Sequence, residues 1–549
     1  MKKILFLFIF FQHFAFAQTI NNDSTSDLEN KNLFLFCKLW GFLKYYHPNV
    51  AKGNFDWEQE FINKIDSFKK SDKKETTSKL INDWLNELGT FKSSIKKENN
   101  KSVFFDKNLD LSWINNTNNL DSEVIEKLNF IKNNRFQGNS YYVELGKNGN
   151  IIEKNTPKLN LNQYPTLNER LLCLSQFWNT IEYFYPYKYL TDEKWDFVLI
   201  EMIEKFKSVQ NENEFDLAIL ELINKTNDGH AVYKSNNTIS YFGTYFFPAE
   251  IKIIEEKAII SGLPNETIAL NNDLKIGDII TTLNNESVSE IIKRKYKYLN
   301  GSNESGKLRD TYYFLANGNS KNVSVKINRN DTLLEKTISR HDYDSIYKFD
   351  KEPAKFKIIE NNIGYIDMAF LEMKDVEETM NKLNNTKGLI IDLRNYPKFI
   401  PYNLSKKLIQ ENSNCIEIIE PDLDFPGRFI YNKKITINPD KKFYDKPVII
   451  LVNEKTQSRA EFSAMLLQAG KNVITLGSQT AGADGNVSKI SISRNRNMLI
   501  SGTGIFYPDG NSTQRKGIKI NIEVKQSIDG IKNKIDEQLV KAIEILNKN

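Results

Sequence analysis

Apolar residues recur at helical spacing twice in the first half of the chain. The stretches 35–65 and 173–203 align without a gap, and each has an amphipathic segment, a proline-marked break and a second amphipathic segment. Another helical stretch follows each copy, at 76–89 and at 212–226. The aligned pairs, each 138 positions apart, are Trp40 and Trp178, Tyr45 and Tyr183, Pro48 and Pro186, and Trp57 and Trp195. The pattern predicts a duplicated helical N-terminal region with an aromatic core.

The connection between the two copies, residues 95–165, is polar and rich in Asn and Lys. Within it, strand-like runs in 141–155 flank Asn148 and Gly149. An Asn-Gly pair between such runs indicates a tight turn. We therefore predict a β-hairpin in this connection.

Short alternating strands replace the helical pattern after residue 241. In 273–295 apolar positions surround a Gly277-Asp278 turn, and a helical stretch follows. The segment resembles the central signature of PDZ domains, Leu-x-x-Gly-Asp-x-Ile followed by Asn-x-x-x-Val and a helix. PDZ domains bind extended peptides by adding a strand to a sheet edge. The resemblance implies a PDZ-like, β-rich domain over 243–340, with Gly277 and Asp278 as substrate-binding residues.

Strands and helices alternate from about residue 356. "KGLIIDLRN" and "KPVIILVNE" are short apolar runs of the kind found in strands that are buried on both faces. "RAEFSAMLLQAG" has a helical pattern that ends at Gly470, and further strands with turns follow it. This part of the chain is predicted to be an α/β core with a mixed sheet.

Composition and charge narrow the class of protein. A chain of 549 residues with 40% hydrophobic and 26% charged residues is typical of two to four globular domains. The net charge of +5, from 75 basic and 70 acidic residues, gives no basic footprint for nucleic acid. Cys37, Cys173 and Cys415 are too few for a disulfide framework or a zinc site. Buried free thiols are expected, and the sequence does not decide whether two of the three cysteines form a disulfide.

The first residues have the pattern of an export signal. Two lysines precede an apolar stretch, and Ala15-Phe16-Ala17 then forms a small-x-small cleavage site. The apolar stretch is shorter than the roughly 20 residues that a membrane span needs, and no later segment is apolar enough. We expect an exported protein, periplasmic or extracellular, with no transmembrane segment after signal cleavage.

Ser458 stands between an apolar strand-like run and a helical pattern, with Glu461 three residues later. Ser-x-x-Glu at this point is a capping box, which is the more frequent explanation of such a pattern. The position of Ser458 directly after a strand favours a catalytic role, because open α/β sheets bind ligands at the carboxyl ends of their strands. A helix start there also offers unpaired N–H groups to a developing oxyanion.

Four segments occur in order: "LIIDLRN", "VIILVNEKTQSRAEFSAMLLQ", "VITLGSQTAGADGN" and "FYPDG…TQRKGI". Together they resemble the catalytic core of the C-terminal-processing and tricorn-type serine peptidases, a family that also inserts a PDZ domain ahead of this core. The resemblance covers about 210–540. It implies a crotonase-like α/β core in which Ser458 is the nucleophile and the Arg459 N–H helps to form the oxyanion hole.

A serine hydroxyl needs a base, and the resemblance offers two. One branch of the family uses a lysine after the Thr-x-Gly turn, but Ala483 or Asp484 occupies that position here. The tricorn branch uses a histidine from a turn ahead of the PDZ-like segment, where this chain has His230. The resemblance thus implies that His230 is the base, although an unplaced histidine is more often only a turn residue. The equivalent stretch of the first repeat, 85–92, has no histidine.

The third member of the catalytic unit and the second oxyanion donor are less defined. The resemblance implies Gln514 at the position of the orienting carboxylate, with Glu523 and Asp228 as other candidates. The oxyanion loop departs from the glycine-rich family pattern, and Pro397 has no N–H to donate. The donor in this loop is therefore expected to be the N–H of Tyr396 or Lys398.

We divide the chain into a signal peptide (1–17), the first helical copy with its linker (18–140), a linker and second copy that carries His230 (141–242), a PDZ-like domain (243–340) and an α/β serine peptidase core (341–549). The predicted function is that of an exported serine endopeptidase acting on peptides or unfolded proteins, without metal or cofactor. The alternative is a catalytically silent peptide-binding protein on the same scaffold, which the altered oxyanion loop favours. A carbohydrate-binding or adhesion module has only the aromatic residues and the export signal in its support. The sequence leaves the oligomeric state open.

Overall fold

A computed structural model describes residues 24–93, 103–155, 164–347, 354–492 and 496–548. The predicted signal peptide lies outside these ranges. The N-terminal part contains α1 (Ser24–Tyr46), α2 (Pro48–Ala51), α3 (Trp57–Lys69), α4 (Lys74–Glu87), β1 (Phe104–Phe105), α5 (Ser122–Asn133), β2 (Val143–Leu145), β3 (Ile151–Glu153), α6 (Leu167–Phe184), α7 (Trp195–Ser208), α8 (Glu212–Asn224), β4 (Val232–Tyr233) and α9 (Asn236–Phe242).

The middle part contains β5 (Glu250–Ile254), β6 (Lys257–Gly262), α10 (Glu266–Asn271), β7 (Ile279–Leu283), β8 (Glu286–Ser287), α11 (Val288–Lys295), α12 (Glu304–Phe314), β9 (Asn322–Arg329) and β10 (Thr332–Ser339). The C-terminal part contains α13 (Tyr343–Ile346), β11 (Phe356–Ile359), β12 (Ile363–Asp367), α14 (Val376–Leu383), β13 (Leu389–Asp392), α15 (Tyr402–Lys406), β14 (Ser413–Pro421), β15 (Phe429–Ile437), β16 (Val448–Val452), α16 (Arg459–Leu467), β17 (Val473–Gly477), β18 (Val487–Ser491), β19 (Asn497–Ser501), β20 (Gly504–Phe506), β21 (Ile522–Glu523), α17 (Ile528–Lys532) and α18 (Glu537–Lys548). Short 3₁₀ helices cover Ser112–Asn115, Lys188–Leu190, Tyr296–Tyr298, Glu360–Asn362 and Met373–Asp375.

The two N-terminal copies share an unusual internal contact. In the first, the indole N–H groups of Trp40 and Trp57 each donate to the other's backbone carbonyl, at 2.9 and 3.1 Å. In the second, Trp178 and Trp195 do the same at 2.8 and 3.0 Å. The exchange satisfies both buried N–H groups while the rings pack in the apolar core. The helices of both copies fall where the repeated pattern places them.

The N-terminal region is built into the C-terminal part. β2 and β3 form the predicted hairpin, and β3 pairs in parallel with β18. β1 pairs with β15, and β4 pairs with β19. The apolar core of the helical copies also contains residues of β14, β15, β18, β19 and β20. The N-terminal helices and these C-terminal strands therefore share one core.

The middle part has its own sheet and its own core. Its strands lie in the order β10-β9-β7-β6-β5, with β8 paired to β7. A separate apolar cluster extends from Phe247 to Ile338. β5 lies at one edge of this sheet, and α12 packs beside it.

The largest C-terminal sheet has the order β11-β12-β13-β16-β17-β21. β11 is antiparallel to β12, and the other neighbours are parallel, so the predicted mixed sheet is present. Every residue of β13 and β16 is buried, because alternate side chains face apolar clusters on opposite sides. Since β13 and β16 are parallel neighbours, the loops after Asp392 and Val452 leave the sheet at the same edge. Within the described ranges, no helix is both long and apolar enough to cross a membrane.

Candidate active site

Ser458 lies at the N-terminus of α16, in the loop that follows β16. Its backbone has φ 56° and ψ −121°, whereas a helix cap is ordinarily extended. A positive φ is uncommon for a residue with a side chain, and such strain concentrates at functional sites. The Ser458 N–H donates to the Ala483 carbonyl at 2.9 Å and to the Glu461 carboxylate at 3.3 Å. The position is a helix cap with a strained backbone that other contacts hold in place.

Glu461 does more than complete a capping box. It is fully buried, and its carboxylate also accepts from the Thr480 hydroxyl at 2.5 Å and from the Gly482 and Ala483 N–H groups at 2.8 and 2.9 Å. Burial raises the pKa of Glu461, and these donors oppose that rise. The side chain thereby fastens the loop after β17 to the start of α16.

His230 lies in the turn after α8 and contacts the end of β19. Its Nδ1 is 2.9 Å from the Ser501 hydroxyl oxygen. That hydroxyl donates to Asp228 Oδ1 at 2.9 Å, and the Ser501 N–H donates to Asp228 Oδ2 at 2.6 Å. Asp228 also accepts from the His230 N–H at 3.1 Å. A serine hydroxyl thus stands between the imidazole and the carboxylate.

This arrangement fixes the proton on the imidazole. The Ser501 hydroxyl has one proton, which it gives to Asp228, so its oxygen must accept the Nδ1–H of His230. Nε2 then carries the lone pair, and this buried atom has no hydrogen-bond partner among the described residues. Burial lowers the pKa of His230, the Asp228 charge opposes this, and the charge of Arg309 adds to the lowering. The residue is a neutral imidazole with its basic nitrogen unoccupied.

The chain neighbours of Ser458 and His230 are joined directly. The Gln457 side-chain amide donates to the Gly229 carbonyl at 2.9 Å. Gln457 also accepts from the Arg309 guanidinium of α12, at 2.5 Å. Among the described residues no hydrogen bond links the Ser458 hydroxyl to His230. The loop that carries Ser458 and the turn that carries His230 are therefore bonded to each other, although 228 positions separate the two residues in sequence.

Gln514 is at the same cluster but does not contact the imidazole through a hydrogen bond. Its side-chain amide donates to Asp228 Oδ1 at 3.3 Å and to the Ser302 hydroxyl at 3.3 Å. The imidazole is hydrogen-bonded to Ser501, which is bonded to Asp228, and Gln514 is bonded to the same carboxylate oxygen. Asp228 was one of the alternatives that the sequence offered. Ser501 was missed, because no local pattern distinguishes a serine at the end of a strand, 271 positions from its histidine.

The two predicted oxyanion residues line one cavity with Ser458. This cavity has a volume of about 410 Å³, and both Tyr396 and Arg459 are in its wall. The Lys398 N–H donates to the Met368 carbonyl at 3.2 Å, so it is not free to bind an oxyanion. Within the described residues, the backbone N–H groups of Tyr396 and Arg459 have no acceptor. Of the two N–H groups that the sequence left open, that of Lys398 is occupied, and that of Tyr396 has no acceptor among the described residues.

The position expected for a lysine base holds none. Ala483 is buried and accepts the Ser458 N–H, and Asp484 lines the cavity as a buried carboxyl. Burial first, and then the charge of Glu461, raise the pKa of Asp484 well above its usual range. Lys489 lies exposed on β18. The lysine that does line the cavity, Lys433, pairs with Glu420 at 2.7 Å.

Gly277 and Asp278 lie in the turn before β7, and the structure does not bring them into the cavity beside Ser458. Gly277 has φ 94°, which explains the glycine. Asp278 is buried and pairs with Arg329 at 2.7 Å. Asp278 thereby ties this turn to β9, and the substrate-binding role of the two residues stays a prediction.

The three cysteines are free and buried, as expected. In the described ranges no group of three or more His, Cys, Asp or Glu side chains is arranged to hold a metal ion.

The model of peptidase family S41 matches residues 406–524. No curated protein matches the chain. Among solved structures, mature CPAF is similar over 70% of this chain and 98% of its own, with 13% identity and a TM-score of 0.54. Mature CPAF complexed with lactacystin is similar over 70% and 99%, with 13% identity and a TM-score of 0.53. The photosystem II D1 C-terminal processing protease is similar over 66% and 95%, with 16% identity and a TM-score of 0.41. The two CPAF structures establish a common fold.

Proposed function

We propose that this chain, a serine-type peptidase of family S41 by its match over residues 406–524, hydrolyses internal peptide bonds through Ser458. One observation carries the proposal: the hydrogen bonds around Ser501 leave the Nε2 lone pair of His230 free, beside the loop that presents Ser458. A general base needs a free lone pair near the nucleophile, and an unoccupied Nε2 in the turn bonded to the Ser458 loop supports this role for His230. The Gln457–Gly229 hydrogen bond holds the two segments together.

In the proposed reaction, Ser458 Oγ attacks the peptide carbonyl carbon while its proton passes to His230 Nε2. The imidazolium that forms is stabilised by Asp228 through the Ser501 hydroxyl. The carbon–nitrogen bond then breaks, and Nε2 returns the proton to the leaving amine. A water molecule, deprotonated by the same nitrogen, hydrolyses the acyl-enzyme and regenerates the Ser458 hydroxyl.

The negative charge of the tetrahedral intermediate needs donors beside Ser458. The N–H groups of Arg459 and Tyr396 are proposed for this role, because both residues line the cavity with the nucleophile. The Arg459 N–H is the first N–H of α16, so the positive end of this helix dipole would also lie at the oxyanion. The Arg459 side chain donates to the Pro397 and Lys398 carbonyls, at 3.1 and 3.0 Å, and so holds the oxyanion loop in place.

A fluorophosphonate probe tests the proposal, because it labels only an activated serine. We expect labelling of the wild type and its loss in Ser458→Ala and His230→Ala. The two single variants and the double variant should have nearly the same residual peptidase activity, since members of a catalytic unit are not additive. Lys489→Ala is the control and should keep wild-type activity. Labelling that survives His230→Ala would reject the serine–histidine pair. An unlabelled, folded wild type would favour the silent peptide-binding protein.

We also propose that substrates bind along β5, in the PDZ-like manner. A groove of about 680 Å³ runs between β5, α12 and the β21 edge of the large sheet. An exposed sheet edge beside a helix can add a peptide strand. Leu308→Arg, which places a charge in the groove wall on α12, should weaken cleavage of a long unfolded protein. Hydrolysis of a short ester should remain, and equal loss on both substrates would reject this role.

Export through the N-terminal leader is proposed as well, from the lysine pair, the apolar stretch and the Ala15–Ala17 site. N-terminal sequencing of the protein recovered from the cell exterior or periplasm should begin at Gln18. A cytoplasmic protein that still begins at Met1 would reject this proposal.

A further inference from the structure

The wall of the cavity beside Ser458 includes a residue from the N-terminal part of the chain. This residue is Asn148, the first residue of the Asn-Gly turn of the β2–β3 hairpin. The other wall residues come from the C-terminal part of the chain. The apolar ones are mostly branched or aromatic: Ile400, Ile418, Ile435, Phe462 and Ile505. The hairpin, which belongs to the linker between the two helical copies, thus completes the site.

The hairpin turn is fastened at this place by several contacts. The Asn486 side-chain amide donates to the Asn148 carbonyl at 3.2 Å, and the Asn150 amide donates to the Val487 carbonyl at 3.0 Å. Gly149 has φ 83°, and a side chain there would overlap Glu420. The turn therefore requires its glycine, and its position is fixed by hydrogen bonds from two asparagine side chains to backbone carbonyls.

The charged groups in the cavity wall are compensated. Lys433 pairs with Glu420, the residue on which Gly149 packs. The Arg459 guanidinium donates to two backbone carbonyls and lies over the Tyr396 ring. Asp484 is buried, and burial favours the neutral form of a carboxyl. A charged substrate side chain would lose its hydration here, and both cations of the wall already have acceptors within the protein.

We propose that Asn148 is a specificity-determining residue, which closes this cavity and limits the size of the uncharged side chain that precedes the scissile bond. The inference rests on the proposed peptidase function. A volume of about 410 Å³ is near the lower end of the roughly 300–1,000 Å³ usual for ligand pockets. A change in the size of residue 148 should therefore alter which side chains fit.

The test compares kcat/KM for short peptides that differ only in the residue before the scissile bond: Ala, Leu, Phe, Lys and Glu. Wild type should favour Leu and Phe over Lys and Glu by at least tenfold. Asn148→Phe, which fills the cavity, should lower kcat/KM for Phe by tenfold or more and leave Ala within twofold. Asn148→Ala, which keeps the backbone contacts, should raise the ratio of Phe to Ala. Lys147→Phe is the matched control, because Lys147 is in the same turn and outside the cavity wall.

Two outcomes overturn the inference while the peptidase function stands. One is an Asn148→Phe profile equal to that of Lys147→Phe, with both variants folded by thermal unfolding. The other is a wild type that prefers Lys or Glu. A wild type that neither reacts with the fluorophosphonate nor cleaves any of the five peptides overturns the proposed function, and this inference with it.

Discussion

Ser501→Ala is the sharpest test of how the base is held. The change removes the hydroxyl that accepts from His230 Nδ1 and donates to Asp228, both at 2.9 Å. It deletes one oxygen atom from a fully buried strand residue and leaves the Ser501 N–H bond to Asp228 in place. The fold should survive, and the imidazole should lose its acceptor.

The expected loss follows from the charge that develops on the imidazole. A hydrogen bond to a charged group contributes about 1.5–3 kcal/mol. Each 1.36 kcal/mol in the barrier corresponds to a factor of ten in rate. If Nδ1–H finds no other acceptor, kcat should fall about 10- to 150-fold. The pKa of His230 should also fall further, because the protonated form loses a partner, so the acid limb of kcat/KM should move to lower pH.

The assay is the pH profile of kcat and kcat/KM on a short peptide, with thermal unfolding as the check of folding. Ser488→Ala is the matched control, since Ser488 is equally buried on the adjacent strand β18 and its hydroxyl has no partner among the described residues. Ser501→Thr restores a hydroxyl and should recover part of the rate. If Ser501→Ala stays within threefold of wild type with an unmoved acid limb, the Asp228–Ser501–His230 chain does not hold the base.

Three further outcomes are expected. Glu461→Gln should lower kcat at least about tenfold and lower the Tm. The glutamine NH₂ group would face N–H and O–H groups that now donate to the buried carboxylate, and each donor left without an acceptor costs about 1–3 kcal/mol. An unchanged Tm would contradict the role of Glu461 in fastening the loop. The acid limb of wild-type kcat/KM should lie below the usual histidine pKa of about 6.5, because burial lowers the pKa of His230. Asp228→Asn should move this limb to still lower pH, because it removes the charge that raises the pKa. An acid limb above pH 7 in the wild type would contradict both expectations. Burial lowers the pKa of His47 to about 4. The contribution of the neutral imidazole to the free energy of unfolding is therefore complete above about pH 6.5, and about 3 kcal/mol of it is lost as the pH falls toward 4. His47→Phe should flatten the decline in unfolding free energy between pH 7 and 4.5, and an equal slope in both proteins would contradict the assignment.

Features with a local signal could be predicted from the sequence. The duplicated helices follow from the spacing of their apolar residues, and the hairpin follows from Asn148 and Gly149 between two strand-like runs. The position of Ser458 follows from a buried strand that leads directly into a helix. In each case the residues that carry the signal are close in sequence, so periodicity and turn chemistry suffice.

Features that depend on strand pairing could not be predicted. Ser501 meets His230 only because β4 pairs with β19, with Val232 opposite Leu499. Asn148 reaches the cavity only because β3 pairs in parallel with β18. Register between segments hundreds of positions apart leaves no trace in one sequence, since many registers bury the same number of apolar side chains.

The pairing of β4 with β19 explains why only the second helical copy contributes to the His230 cluster. At the same place in each repeat, 138 positions apart, the chain turns through a positive φ: 77° at Gly89 and 50° at Asn227. The backbone turn is thus common to both copies. After the second turn the chain enters β4 and joins the sheet of β19, which brings His230 to Ser501. The first turn leads to Phe91, which packs on His47 and Phe130 among the helices. The docking of β4 on the sheet, more than the turn itself, makes the second copy part of the site.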